Sequence, residues 1–297
     1  HALILDSFTV KLISSILQLT QQEDDMTTPA LAAYRASNAV LGRVAPRATG
    51  RRVGRAFTTP RPRPVKPWER EVEAAANRFD LRAGLSGLRW EGSGTSILAL
   101  HGWEGRATQF GPLAERIHHR DARMVAIDGP AHGRSAGTRA NPVAFARALM
   151  DTDRELGPFE VVIGHSMGAA AAGLAVSWGL DAKKVVLIAG PSSLPGVVQR
   201  FARFIRLPAR ATSAFVREIE AAAGLPATQI DIDAIAERLC MPVLLVHDVG
   251  DAEVPIEDSR RLAAALPNAT LFETAGLGHN RILRDDAVLD RIDHFIA

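Results

Sequence analysis

The sequence has a single cysteine, Cys240, among 297 residues. An internal disulfide is excluded, and a reducing, cytoplasmic compartment is expected. Cys240 stands just before an expected strand, where a small buried apolar side chain is the natural reading. Neither a C-x-x-C nor an H-E-x-x-H pattern occurs, so no metal and no cofactor are expected. Runs of about 18 uncharged apolar residues, the length a membrane helix needs, are also missing. Ala2 to Leu19 comes nearest, but Asp6 and Lys11 interrupt it, and it lacks the basic start of a signal peptide. Acidic residues are absent over one long stretch: Met26 to Trp68 holds nine Lys or Arg and no Asp or Glu. The whole chain carries +2, which leaves −7 for the remainder. A mildly acidic body offers no basic face, so nucleic acid is not an expected partner.

What is present is ordered along the chain. Met26 is the first methionine, and the composition changes there. Residues 1–25 are therefore expected to be an upstream or non-native extension. Residues 26–70 form a basic Pro/Arg-rich arm. Ala30 to Val44 can make a short helix, but Pro60-Arg61-Pro62-Arg63-Pro64 forbids one and favours an extended connector. The arm is expected to lie on the acidic body.

From residue 71 onward apolar strands alternate with helices. The expected strands are Ser96–Leu100, Arg123–Ile127, Phe159–Ile163, Lys184–Ala189, Pro242–Val246 and Ala269–Phe272. Helical spacing fills Thr108–His118, Pro142–Leu156, Met167–Trp178 and Asp258–Leu266. Near-continuous apolar strands separated by helices predict a mostly parallel sheet covered by helices on both faces. Asn77–Leu81 and Leu88–Glu91 fit antiparallel edge strands. The alternation breaks at about 191–239, where Val197–Ile205 and Ala211–Ala223 read as helices. An insertion at that point belongs above the carboxyl ends of the strands, as a small helical cap. Its Phe201, Phe204 and Phe215 are candidate pocket-lining residues.

The chemistry concentrates in Gly164-His165-Ser166-Met167-Gly168, between an apolar run and an alanine-rich helix. Strand, G-x-S-x-G and helix make a nucleophile elbow. The glycines remove clashes in a tight turn, and the helix N-terminus favours developing negative charge. A serine hydroxyl needs a base. His279, in Gly276-Leu277-Gly278-His279, follows the last expected strand on a glycine loop. The imidazole in turn needs an acid. Asp248 and Asp251 both follow the strand Pro242–Val246, and Asp251 is preferred because it sits farther out on its loop. An oxyanion needs donors. The N–H of Met167 is one, and the N–H of Trp103, in the loop His101-Gly102-Trp103, is the other. His101 and Gly102 are then candidate substrate-contacting residues.

These segments resemble the α/β-hydrolase superfamily over roughly residues 75–297. The resemblance rests on HGW at 101–103, DGPAHGRS at 128–135, GHSMG at 164–168, DAEVP at 251–255 and GLGH at 276–279. It departs where Ala131 replaces a usual glycine, which bears on loop geometry. His132 resembles a structural loop residue. The resemblance implies an α/β-hydrolase fold with a helical cap inserted in a domain over 71–297. It also implies a serine hydrolase that cleaves a small-molecule carboxylic ester through an acyl-enzyme, with the triad Ser166, Asp251 and His279. Acyl transfer, thioester hydrolysis and cofactor-free peroxidation use the same triad, and a non-catalytic ligand cage can use the same fold. Ser166 excludes an aspartate nucleophile.

No motif lies before Met26. A chain beginning at Met26 is expected to keep the melting temperature and activity of the whole. A large loss of either, measured side by side, would show that residues 1–25 serve the folded body.

Overall fold

The protein is described by a computed structural model over residues 29–297. The expected extension at residues 1–25 lies outside the described residues. In chain order the helices are α1 (Pro29–Val44), α2 (Pro46–Phe57), α3 (Pro67–Ala75), α4 (Gly111–Arg116), α5 (Pro142–Leu156) and α6 (Met167–Ser177). They continue with α7 (Leu194–Phe204), α8 (Ala209–Ala223), α9 (Ile232–Ile235), α10 (Ile256–Ala265), α11 (Gly278–Arg281) and α12 (Asp286–Ile296). The strands are β1 (Asn77–Asp80), β2 (Ser86–Trp90), β3 (Ser96–Leu100), β4 (Arg123–Asp128), β5 (Val161–His165), β6 (Lys184–Ile188), β7 (Val243–Asp248) and β8 (Ala269–Thr274). Two units result. One is a sheet unit over 62–192 and 232–297, and the other is a helical unit whose described residues are 29–61 and 193–231.

The sheet runs in the order β1-β2-β4-β3-β5-β6-β7-β8. β1, β2 and β4 pair antiparallel, and the rest of the sheet is parallel. Alternate residues explain why both faces are covered. Ile97 and Ala99, Met124 and Ala126, Val161 and Ile163, and Leu244 and Val246 join one core with Phe110, Leu113, Ile117, Leu289 and Ile292. The intervening Leu98, Leu100, Val125, Ile127, Val162 and Leu245 are just as buried. A strand buried on both sides needs apolar residues at every position, which is why these runs show no alternation.

Two helices of this unit have weak sequence signals. α12 supplies Val288, Leu289, Ile292 and Ile296 to the core. α3 starts at a proline-rich stretch, and Glu69 stabilises its first turn by accepting from the Lys66 backbone N–H at 2.7 Å. Cys240 is exposed rather than buried, because β7 begins three residues later, at Val243.

Ala30–Val44 lies in α1, and the alternating prolines carry no regular structure, as expected; the arginine-rich stretch between them, not expected to be regular, is α2. Among the described residues of the arm, regular structure is missing at Ala45 and over residues 58–66, around the alternating prolines. The preceding residues form α1 and α2, which belong to one unit with α7 and α8 of the insertion. Their packing is made by small residues. A Cβ at Gly50 would lie 2.4 Å from the Ala211 carbonyl oxygen and 2.6 Å from the Ala214 Cβ. One at Gly54 would lie 2.6 Å from the Glu218 Cγ. The two glycines are four residues apart and so share one face of α2. On that face α2 and α8 come into backbone contact. Phe57, Phe201 and Phe215 then form one aromatic cluster, with Phe57 4.9 Å from Phe201 and 5.3 Å from Phe215. The arginines are secondary here. Arg55 and Glu218 are 3.7 Å apart, with the Arg55 side chain 71% exposed, and such pairs contribute little.

Gly50→Val should therefore destabilise the helical unit by about 2 kcal/mol through overpacking. Arg51→Ala, at an exposed neighbouring position, should stay within about 0.5 kcal/mol of the parent. Urea unfolding of both variants checks the contrast.

Candidate active site

Ser166 sits between β5 and α6 with φ 53° and ψ −119°. A non-glycine residue there is strained, and the surroundings must hold it. They do so by leaving no room for anything else. A Cβ at Gly164 would lie 2.3 Å from the Gly168 carbonyl oxygen, and one at Gly168 would lie 2.2 Å from the Leu100 carbonyl oxygen. The Ser166 N–H donates to the Ile188 carbonyl at 2.8 Å. Gly102 lies directly against the elbow, since a Cβ there would be 2.7 Å from the Ser166 Cβ. The peptide between Gly102 and Trp103 is thus beside the serine. Met167 is the first residue of α6, and N–H groups in a helix's first turn have no partner within the helix.

The remaining groups come from loops after the carboxyl ends of β7 and β8. His279 Nδ1 donates to Asp251 Oδ2 at 2.7 Å. The other oxygen of Asp251 accepts from the backbone N–H groups of Glu253 and Val254, at 2.8 and 2.9 Å. Both residues are nearly inaccessible, with Asp251 8% and His279 4% exposed. Burial alone would raise the Asp251 pKa, but hydrogen bonds from His247 and His279 hold the carboxylate well below its usual range. Burial also works against a charged His279. The Asp251 hydrogen bond, with the charges of Glu253 and Asp251, outweighs it and raises the imidazole pKa.

Asp248 has a different place. Its oxygens accept from the Gly250 N–H at 2.9 Å, the Thr274 hydroxyl at 3.0 Å and the Leu277 N–H at 2.9 Å. Burial opposes its charge, yet these bonds, with others from backbone N–H groups, lower its pKa. Asp248 ties the loop that carries His279 to the end of β7 and does not meet the imidazole.

Three further histidines are buried around the elbow. His101 Nδ1 donates to the Gly102 carbonyl at 2.6 Å, and its Nε2 accepts from the Gly129 N–H at 2.9 Å. Its ring is fully buried and both nitrogens are engaged by backbone, so it shapes its loop. His132 Nδ1 donates to the Pro130 carbonyl, and its Nε2 accepts from the Glu104 N–H, each at 2.9 Å. Trp103 is half-buried, its ring edge-on to His132 at 5.4 Å. His165 Nε2 donates to the His279 carbonyl at 2.9 Å, with the two rings 4.8 Å apart. Burial lowers His101 well below the ordinary value, His132 to about 4 and His165 to about 3. All three are neutral at pH 7.

The loop at 128–135 closes around Asp128, which accepts from Ala107 and Arg134 N–H groups at 2.8 and 2.9 Å. Ala131, the departure from the family pattern, takes φ 65°, the left-handed conformation that suits glycine. The phenylalanines proposed as pocket lining are placed in the helical unit. Phe201 and Phe215 are buried in the cluster with Phe57, and Phe204 lies under the Arg35 guanidinium at 4.5 Å.

Sequence reasoning missed a second carboxylate. Glu253 Oε2 is 3.8 Å from His279 Nε2, and its Oε1 accepts from Asn280 Nδ2 at 3.2 Å. It also missed the pair Arg63–Glu104, at 3.0 Å, with Glu104 1% exposed at its side chain. The charge run around Arg63 hid that role, and the variable position inside DAEVP hid Glu253. No group of side chains able to hold a metal ion occurs among the described residues. No helix among them is long and apolar enough to cross a membrane.

Residues 97–291 match the sequence signature of the alpha/beta hydrolase family. The chain belongs to that family. It is 26% identical to the pimeloyl-[acyl-carrier protein] methyl ester esterase of Xanthomonas axonopodis pv. citri, over 69% of this chain and 96% of the relative. Its fold is similar to that of an esterase from Pyrococcus furiosus, with a TM-score of 0.59 and 22% identity, covering 80% of this chain and 95% of the other. A putative lipase from Acinetobacter baumannii gives a TM-score of 0.56 at 16% identity, covering 77% and 93%.

Burying neutral histidines makes this alpha/beta hydrolase acid-sensitive. An imidazole whose pKa falls on folding binds protons more tightly in the unfolded chain. The contribution of His132 is therefore lost as pH falls from about 6.5, the unfolded value, toward its folded value of about 4. The lowered carboxylates Asp248 and Asp251 add to the loss only below their unfolded value of about 4. Melting temperature should fall between pH 6.5 and 4, and His132→Gln should flatten that slope. A slope unchanged in the variant counts against this assignment.

Proposed function

We propose that the protein is a serine esterase that cleaves carboxylic esters through an acyl-enzyme. The carrying observation is the 2.7 Å bond between His279 and Asp251, on loops that meet the strained elbow at Ser166. Asp251 fixes the tautomer with the proton on Nδ1, which leaves Nε2 to take the proton of Ser166 Oγ. Oγ then attacks the ester carbonyl. The resulting oxyanion is held by the N–H groups of Met167 and Trp103. Collapse expels the alcohol, which takes its proton from His279 Nε2. Water, activated by the same nitrogen, cleaves the acyl-enzyme and restores Ser166.

The raised pKa of His279 suits this cycle. The charged imidazolium is stabilised by the two carboxylates at the moment it forms, and it remains acidic enough to protonate an alkoxide. The neutral His101, His132 and His165 add no competing charge. The relatives named as methyl ester esterases support ester bonds of small alcohols as the first substrates to test.

Ser166→Ala should abolish labelling by a fluorophosphonate probe and remove nearly all hydrolysis of p-nitrophenyl esters. A residual on the order of 10³-fold over water can remain from the oxyanion donors. Asp251→Asn should lower kcat by as much as about 10⁴-fold by favouring the wrong tautomer, with the melting curve retained. Parent-like turnover in Ser166→Ala, with contamination ruled out, would overturn the reading.

A further inference from the structure

In the proposed cycle one nitrogen, His279 Nε2, hands the proton to the departing alcohol. The leaving oxygen must come within hydrogen-bond reach of that nitrogen. Whatever else borders Nε2 therefore borders the alcohol half of the substrate. Glu253 is such a group, with Oε2 3.8 Å from Nε2 and its side chain 23% exposed. Its other oxygen is held by Asn280 at 3.2 Å, so the carboxylate is aimed and not free to turn away.

We infer that Glu253 is the specificity-determining residue of the leaving-group side. Its carboxylate makes that side electronegative, so esters of cationic or hydrogen-bond-donating alcohols are favoured over neutral ones, and esters of anionic alcohols are rejected. The inference rests on the esterase reading above. The charge also acts on the base. The groups facing His279 are Asp251 and Glu253 from the loop after β7 and His165 from β5, with His247 behind Asp251. Burial is the largest influence on Glu253 and raises its pKa; the charge of His279 works against this, with smaller help from Arg63 and the Asn280 hydrogen bond, while Asp251 adds to it. Asp251 is committed to Nδ1, and His165 is neutral at working pH because burial lowers its pKa to about 3. Glu253 is the carboxylate placed on the Nε2 side, 3.8 Å away. It favours the imidazolium and moves the pH at which His279 becomes a base upward.

Two measurements on the full chain test this. The first compares kcat/KM for acetylcholine and its neutral isostere 3,3-dimethylbutyl acetate. The parent should prefer the cationic ester by about fivefold or more, the factor a charge pair about 4 Å apart supplies even at the dielectric of water. Glu253→Gln should bring the ratio close to one, and Glu253→Asp, which keeps the charge, should restore much of the preference. An equal ratio in parent and Glu253→Gln overturns the inference. The second is the NMR titration of His279, which needs no turnover. Glu253→Gln should move its midpoint to lower pH, and an unmoved midpoint overturns the inference whatever the enzyme hydrolyses. If neither ester is cleaved by any variant, the titration decides the placing of Glu253, while the esterase reading is judged separately on the p-nitrophenyl esters and the fluorophosphonate probe.

Discussion

The reversal of the chain at Ser166 constrains everything near it. A serine at φ 53° can be held only where the chain on either side approaches without side chains. Gly164 and Gly168 provide that approach, and Gly102 provides it from the neighbouring loop. Once those three positions are bare, the HGW loop can lie on the elbow and the helix dipole can point at it. The same close approach pushes His165 to the interior. There its ring donates to the His279 backbone. A steric demand at one residue is thus carried, through His165, to His279, 114 residues after it in sequence.

Around this reversal, polar groups are used in two ways. Asp128, Asp248, His101 and His132 each accept backbone N–H groups of loops at the carboxyl ends of the strands. Those loops cross buried space, where an unpaired N–H costs about 1–3 kcal/mol, so side-chain acceptors take the place of a ladder. Asp251 and His279 are different. Their bond joins two side chains and leaves His279 Nε2 3.8 Å from Glu253 Oε2. Burial makes the structural histidines neutral, and adjacent carboxylates raise His279. One residue type is thus held neutral at some positions and favoured in its charged form at another by its neighbours.

The helical unit shows the same economy in apolar form. Its contact between α2 and α8 depends on Gly50 and Gly54, not on the arginines that dominate the composition of that stretch. An Arg side chain near a helix surface can leave its charge in water while backbones meet beneath it. Charge counting therefore describes this segment poorly. Glycine spacing describes it well.

The sequence by itself determined what depends on nearest neighbours in the chain. Apolar runs located all eight strands, with ends displaced by one or two residues. Glycine spacing located the elbow, and the loops that carry Asp251 and His279 follow strands the sequence located, β7 and β8. Cys240 was misread because burial depends on where β7 starts, and α3, α2 and α12 were missed because proline, arginine and aspartate dilute their apolar spacing. The tertiary structure alone decided which long-range groups meet. The choice between Asp248 and Asp251 as neighbour of His279, the engagement of both His101 nitrogens, the partnership of α2 with α8 and the approach of Glu253 to Nε2 are all such cases. The physical reason is common to them. Backbone periodicity is a local property that each residue states for itself, whereas a hydrogen bond or a close helix crossing exists only after the sheet has brought distant loops to one edge.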